Sequence, residues 1–160
     1  MPAERTQQSL ENLLTKEVEC TECLLFCLEA ERSALTRRDL QALEKTTREK
    51  IQHTQQLEQL DQQRQKLVSE LGFAADADGL WRCLDSLPRA DALKHLWQQT
   101  LSNIEACQAY NLTNGGILES GRQHIEQALR ILRGQSATPS LYDPHGDTSA
   151  DLGQRELGKV

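Results

Sequence analysis

Counting from Leu93 in alternating steps of four and three residues lands on Leu93, Trp97, Thr100, Ile104, Cys107, Asn111, Asn114, Leu118, Gly121, Ile125, Ala128 and Leu132. That rhythm belongs to one helix face packed against other helices. It crosses Asn114-Gly115-Gly116, a tripeptide that usually marks a turn, without slipping. A tight turn has no reason to preserve the phase, and the flanks lack the alternation of a hairpin's strands. The pattern predicts a single helix running through, about 60 Å long at ~1.5 Å per residue.

The continuity has a cost. Each glycine in a helix is disfavoured by about 1 kcal/mol relative to alanine. Asn111 and Asn114 place amides on the seam, where they weaken packing but fix register when their hydrogen bonds are met. Gly115 and Gly116 fall beside the seam and Gly121 on it. Two readings stand: a tolerated kink, or a weak joint between a firmly packed half and a more adaptable half.

Upstream, Leu10, Leu13, Leu14, Val18, Leu24, Leu25 and Leu28 predict a first helix from about Gln7 to Arg32. Ser33-Ala34-Leu35 reads as a short connection, with Thr36 as the cap of a second helix and Asp39 in its first turn. That helix runs from Arg37 to Leu71 and stops at Gly72. Its early seam is Leu40, Leu43 and Thr47; its late seam is Leu57, Leu60, Arg64, Leu67 and Leu71, in a different phase. Between Gly72 and Asp91 the chain forms a connector. Asp-Ala-Asp-Gly at 76–79 resembles the start of a calcium loop but lacks the remaining ligands, and reads as a turn. Leu80, Trp81, Leu84 and Leu87 predict a short helix there, with Trp81 over one end of the bundle and Asp91, or a residue just before it, capping the next helix.

The expected fold is therefore all-α: an elongated antiparallel bundle of three long helices plus a short connecting helix. The expected domains are a bundle over residues 1–133 and a flexible tail over 134–160. Pro139, Pro144 and a polar, Gly-containing composition leave the tail too little apolar surface for a core. Leu141-Tyr142 is its one short apolar piece and a candidate linear motif.

Composition narrows the function. Hydrophobic residues make up 38% and aromatic residues only 4% of the 160 residues, which suits Leu-rich helices better than a sheet. A net charge of −6 without a basic cluster argues against nucleic acid. No apolar run reaches the ~20 residues of a spanning helix, and the first residues hold no signal-peptide core, so a cytoplasmic protein without membrane insertion is expected. Cys20, Cys23 and Cys27 form C-x2-C-x3-C, yet a thiolate site needs four ligands and no second Cys or His pair follows. They read as reduced residues in or near the core, with no metal and no cofactor. The histidines at 53, 95, 124 and 145 are scattered, and neither a nucleophile elbow nor a phosphate loop occurs. No catalytic residue can be assigned, and an enzyme is not expected. What remains is a binding or scaffolding protein. The end of the last helix, with Ile117, Leu118, Ile125, Leu129, Ile131 and Leu132, is apolar beyond one narrow seam, as an intermolecular groove would be.

Four stretches, in order, carry a resemblance: LEAERSALTRRDLQALEKTTREK, LEQLDQQRQKLVSELGF, NLTNGGILESG and LYDPHGDTS. Together they resemble the FlgN family of flagellar export chaperones over most of the chain. The resemblance implies a cytoplasmic chaperone of the flagellar type III export system, without ATP chemistry of its own. Its clients would be the hook-filament junction proteins FlgK and FlgL, whose terminal segments become amphipathic helices on assembly. Carried onto this chain, Ile117, Leu118, Ile125, Leu129 and Leu132 become the client contacts. Tyr142 becomes the docking residue for the export-gate protein FlhA. The cysteine-rich first helix departs from the family pattern and leaves a redox or metal side role open. The alternative is a coiled-coil scaffold with no export client.

Overall fold

The structure is a computed structural model that describes residues 2–132. The order is α1 (Pro2–Arg37), α2 (Leu40–Glu70), α3 (Ala77–Ser86) and α4 (Ala90–Leu132), with no strand among the described residues. This is the all-α arrangement of three long helices and a short connecting one. The tail from 134 to 160, with Tyr142, lies outside the described residues.

α1 runs past the expected break at Ser33-Ala34-Leu35 and ends at Arg37. Thr36 does not cap α2; its hydroxyl donates to the Arg32 carbonyl within α1. The turn consists of Arg38 and Asp39 alone. Arg38 takes a left-handed φ of 56°, its N–H donates to Leu35 O, and that of Asp39 donates to Ala34 O. Two of the last α1 carbonyls are thus satisfied. Asp39 then caps α2, its carboxylate accepting from Ala42 N at 3.1 Å.

α2 ends as its glycine predicts. Gly72 has φ of 88°, its N–H donates to Ser69 O, and Phe73 N–H reaches back to Val68 O. The Asp-Ala-Asp-Gly piece is a helix start: Asp76 caps α3 by accepting from Gly79 N at 2.7 Å. A Cβ on Gly79 would lie 1.8 Å from the Ala74 carbonyl oxygen, so only glycine fits. Asp91 lies in the first turn of α4, one residue inside its start at Ala90.

The chain divides into two units, the first ending at Ile117 and the second beginning at Leu118. In the first unit α1 and α2 are antiparallel: Cys27 meets Thr46 and Cys20 meets His53. α4 runs parallel to α1, with Arg89 on Glu11, Asn103 on Thr21 and Asn114 on Leu28. α3 reverses the chain at the end where Leu10, Leu14, Val68, Leu80, Cys83, Leu84, Leu93 and Trp97 form the main core. Trp81 packs against this cluster, as its position predicted. Leu10, Leu14, Leu84 and Leu93 are fully buried, each contributing about 1.5–3 kcal/mol. In the second unit, residues 118–132 continue as helix.

α2 has one seam rather than two. Thr46 and Leu60 are buried and Lys50, His53, Leu57, Arg64 and Leu67 half-buried, all in a single four-three frame. Leu40 and Ile51 are exposed, and Thr47 yields its place to Thr46. Polar residues occupy the first half of the frame, which hides it from a hydrophobic count.

Two substitutions test these turns by urea unfolding. Gly79→Ala should lose about 2–4 kcal/mol through overlap with Ala74. Arg38→Gly should gain about 0.5–1 kcal/mol by removing left-handed strain, with the opposite sign overturning the reading of the turn.

Candidate partner-binding surface

The α4 stripe predicted from Leu93 onward is real: Leu93, Trp97, Thr100, Cys107 and Asn114 are all buried against the hairpin. Ile104 is half-buried, and Asn111 is exposed. The character of the interior changes along this stripe. Beside the apolar core, Glu17 is completely buried. One carboxylate oxygen contacts Arg64, which also pairs with Asp61, while the other has no hydrogen-bond partner. The Arg64 guanidinium lies 4.4 Å from the Trp97 ring centroid, a cation–π contact. Burial pushes the Glu17 carboxyl up to about 7; Arg64 opposes the shift and Asp61 adds to it.

One turn further, Asn103 Nδ2 donates to Thr21 Oγ1 at 3.0 Å and the Cys107 thiol faces Thr21 O at 3.8 Å. Beyond that, Glu31 is buried and pairs with Lys50 at 3.4 Å. Asn114 Nδ2 donates to Leu28 O and to Glu31 Oε1, both at 3.0 Å, and Lys50 donates to Asn111 Oδ1 at 2.9 Å. Arg32 stacks over Tyr110 with its guanidinium carbon 5.8 Å from the ring centroid.

Cys20, Cys27, Cys83 and Cys107 act as small packing residues. Cys20 and Cys27 are buried on the α1 face turned toward α2, where their thiols donate to His53 O at 3.4 Å and Thr46 O at 3.2 Å. Desolvation raises the pKa of Cys20, Cys27, Cys83 and Cys107, keeping them protonated donors. Cys23 is exposed, and all five cysteines are free. Among the described residues, no three His, Cys, Asp or Glu side chains converge as a metal site.

The residues expected to contact a partner lie at the end of α4. Ile117 is half-buried and closes the first unit. In the second, Leu118, Ile125, Leu129, Ile131 and Leu132 are all exposed, Ile125 by 64% and Leu132 by 81%. Leu118, Ile125 and Leu132 keep the heptad phase of Ile104 and Asn111, and Leu129 follows Ile125 by four. The helix here is supported by Arg122, which pairs with Glu119 at 2.7 Å and with Glu126. Arg122 holds the Glu119 carboxyl below its usual range. Gly115, Gly116 and Gly121 meet open space at the Cβ position, so neither close approach nor a turn required them.

A count of hydrophobic residues alone passes over Glu17 and Glu31. Their signal was available: Leu10, Leu14, Glu17, Thr21, Leu24, Leu28 and Glu31 follow the same four-three frame.

The sequence profile described as FlgN protein matches residues 1–150. The chain belongs to the FlgN family. A crystal structure described as a flagella synthesis protein FlgN of Pseudomonas aeruginosa is similar to it, with a TM-score of 0.64 and 29% identity over 69% of this chain and 86% of that one. No curated protein sequence matches the chain. The profile match spans the helices that carry both the polar cross-sections and the exposed α4 face. No described helix is long and apolar enough to cross a membrane.

Glu17 gives a pH test with a definite sign. Its carboxyl titrates near 4.5 in the unfolded chain and near 7 in the fold, so the folded state binds the extra proton between those values. Its contribution to stability is full below about pH 4.5 and is lost as pH rises through about 7. Urea midpoints across this window should fall with pH in the native protein. Glu17→Gln should flatten that fall; an unchanged slope would show that another group sets it.

Proposed function

We propose that this FlgN-family protein is a cytoplasmic flagellar type III export chaperone that works by binding and not by catalysis. It covers the terminal amphipathic segments of the hook-filament junction proteins FlgK and FlgL, prevents premature assembly and delivers them to the export gate. Family membership supports the flagellar role. The observation that carries the binding role is the exposed row Leu118, Ile125, Leu129 and Leu132 on one helical face. Apolar side chains at i, i+7, i+11 and i+14 are the pattern that accepts a second amphipathic helix. Asn114 ends the buried part of the stripe, so the residues that follow are free to pack against a client without disturbing the first unit's core. Delivery rests on Tyr142, proposed to dock on the cytoplasmic part of FlhA.

Calorimetric titration with a purified junction protein, intact and lacking its C-terminal segment, tests the reading. Binding of the intact client and its loss on truncation is the expected result. Ile125→Asp with Leu129→Asp should weaken binding by about thirtyfold or more, the scale of a hot spot, while shifting the urea midpoint little because both sites are exposed. Removal of residues 134–160 should spare client binding and abolish capture by FlhA. Absence of binding by the intact client at concentrations well above its expected affinity would turn the reading to a helical scaffold.

A further inference from the structure

Asn114-Gly115 is the only Asn-Gly pair in the chain; Asn12, Asn103 and Asn111 precede Leu, Ile and Leu. Glycine offers no side chain to hinder attack of its own backbone nitrogen on the preceding amide carbon. In an extended or mobile chain the Gly115 nitrogen attacks Asn114 Cγ and forms a C–N bond. The Gly115 N–H proton passes to solvent and the side-chain nitrogen departs as ammonia. Water then opens the succinimide ring at either carbonyl, giving aspartate or isoaspartate. The sum is amide plus water to acid plus ammonia, with no oxidant or reductant.

The fold blocks this reaction by two means. Asn114 lies inside α4, where helical ψ carries Cγ away from the following nitrogen. Its side chain is 1% exposed, and its Nδ2 is pinned across the seam to Leu28 O and Glu31 Oε1. Gly115, by contrast, faces open space, so nothing but the helix itself restrains the backbone there. We propose that Asn114 is a latent self-deamidation site, locked by its contacts with α1 and released when α4 opens near Gly115-Gly116.

The product would not fit where the amide was. An acid at position 114 loses both donors and places a second carboxylate beside buried Glu31, whose paired cation is Lys50. Like charges at that distance in a buried site repel. Isoaspartate also lengthens the main chain by one carbon and breaks the helical ladder. Opening therefore becomes irreversible: the converted chain keeps its apolar core at the α3 end but loses the lock that holds α4 to α1.

The full-length protein, held in mildly alkaline buffer with and without unfolding urea, tests this by peptide mass spectrometry of the amide-to-acid gain. In the unfolded chain Asn114 should convert ahead of Asn12, Asn103 and Asn111. In the native chain its rate should be lower by at least about tenfold and should rise with urea well below the midpoint. Gly115→Ala should suppress conversion in both states. Asn114→Asp should lower the urea midpoint more than Asn114→Ala does. Equal rates in folded and unfolded protein would show that the seam does not lock the site. Absence of conversion in the unfolded chain, or an Asn114→Asp midpoint no lower than that of Asn114→Ala, would overturn the proposal as well.

Discussion

The contact between Glu17 and Arg64 beneath Trp97 is the point on which the first unit is registered. It joins α1, α2 and α4 in one cross-section, with Asp61 on the outer side of the guanidinium. A buried carboxyl and a buried guanidinium add little net stability over a well-packed apolar pair, but separating them is costly because each would be left uncompensated. A slip of any helix by one turn would do just that. Leucines tolerate such a slip, since one leucine resembles the next. The polar layer removes the degeneracy of a Leu-rich bundle.

The polar layers above it extend the same logic while weakening the grip. The α3 end is apolar, built from Leu10, Leu14, Leu80, Leu84 and Leu93. Further along α4 the seam is held by Thr21 with Asn103, then by Glu31 with Asn114. Among the described residues, the buried side-chain atoms left without partners, Glu17 Oε2, Thr100 Oγ1 and Asn114 Oδ1, belong to α1 and α4. The α1–α2 hairpin carries the Glu17–Arg64 and Glu31–Lys50 pairs and adds small side chains whose thiols reach the opposing backbone. A third helix held to the hairpin by polar contacts suits the proposed role of receiving another helix.

The cysteine spacing follows the helical repeat. C-x2-C-x3-C looks like a ligand set, but on a continuous helix only Cys20 and Cys27 share a face, seven residues apart, with Leu13 and Ala34 on the same stripe. The residue type was chosen by size and by a weak donor, both properties of a neutral thiol. Its resemblance to a metal motif follows from the helical repeat.

The sequence by itself determined the helices, the stop of α2 at Gly72 and the phase of α4. Those features are local: the four-three rhythm and Gly72 in a left-handed position depend on neighbours within a turn or two. It determined through the same rhythm that Asn114-Gly115-Gly116 would not break α4. What only the tertiary structure decided is which polar members of each frame go inside. Glu17, Glu31 and Asn114 are buried where a partner on another helix answers each of them, the Thr46 hydroxyl donates to Leu43 O within α2, and Asn111 stays out where Lys50 meets it at the surface. The α1–α2 turn was misplaced for a related reason. Arg38 adopts a backbone that a sequence reading assigns to glycine, and it holds there because two carbonyls of α1 and the cap of α2 are satisfied at once. Hydrophobic periodicity is a property of one helix; the acceptance of a buried charge is a property of three.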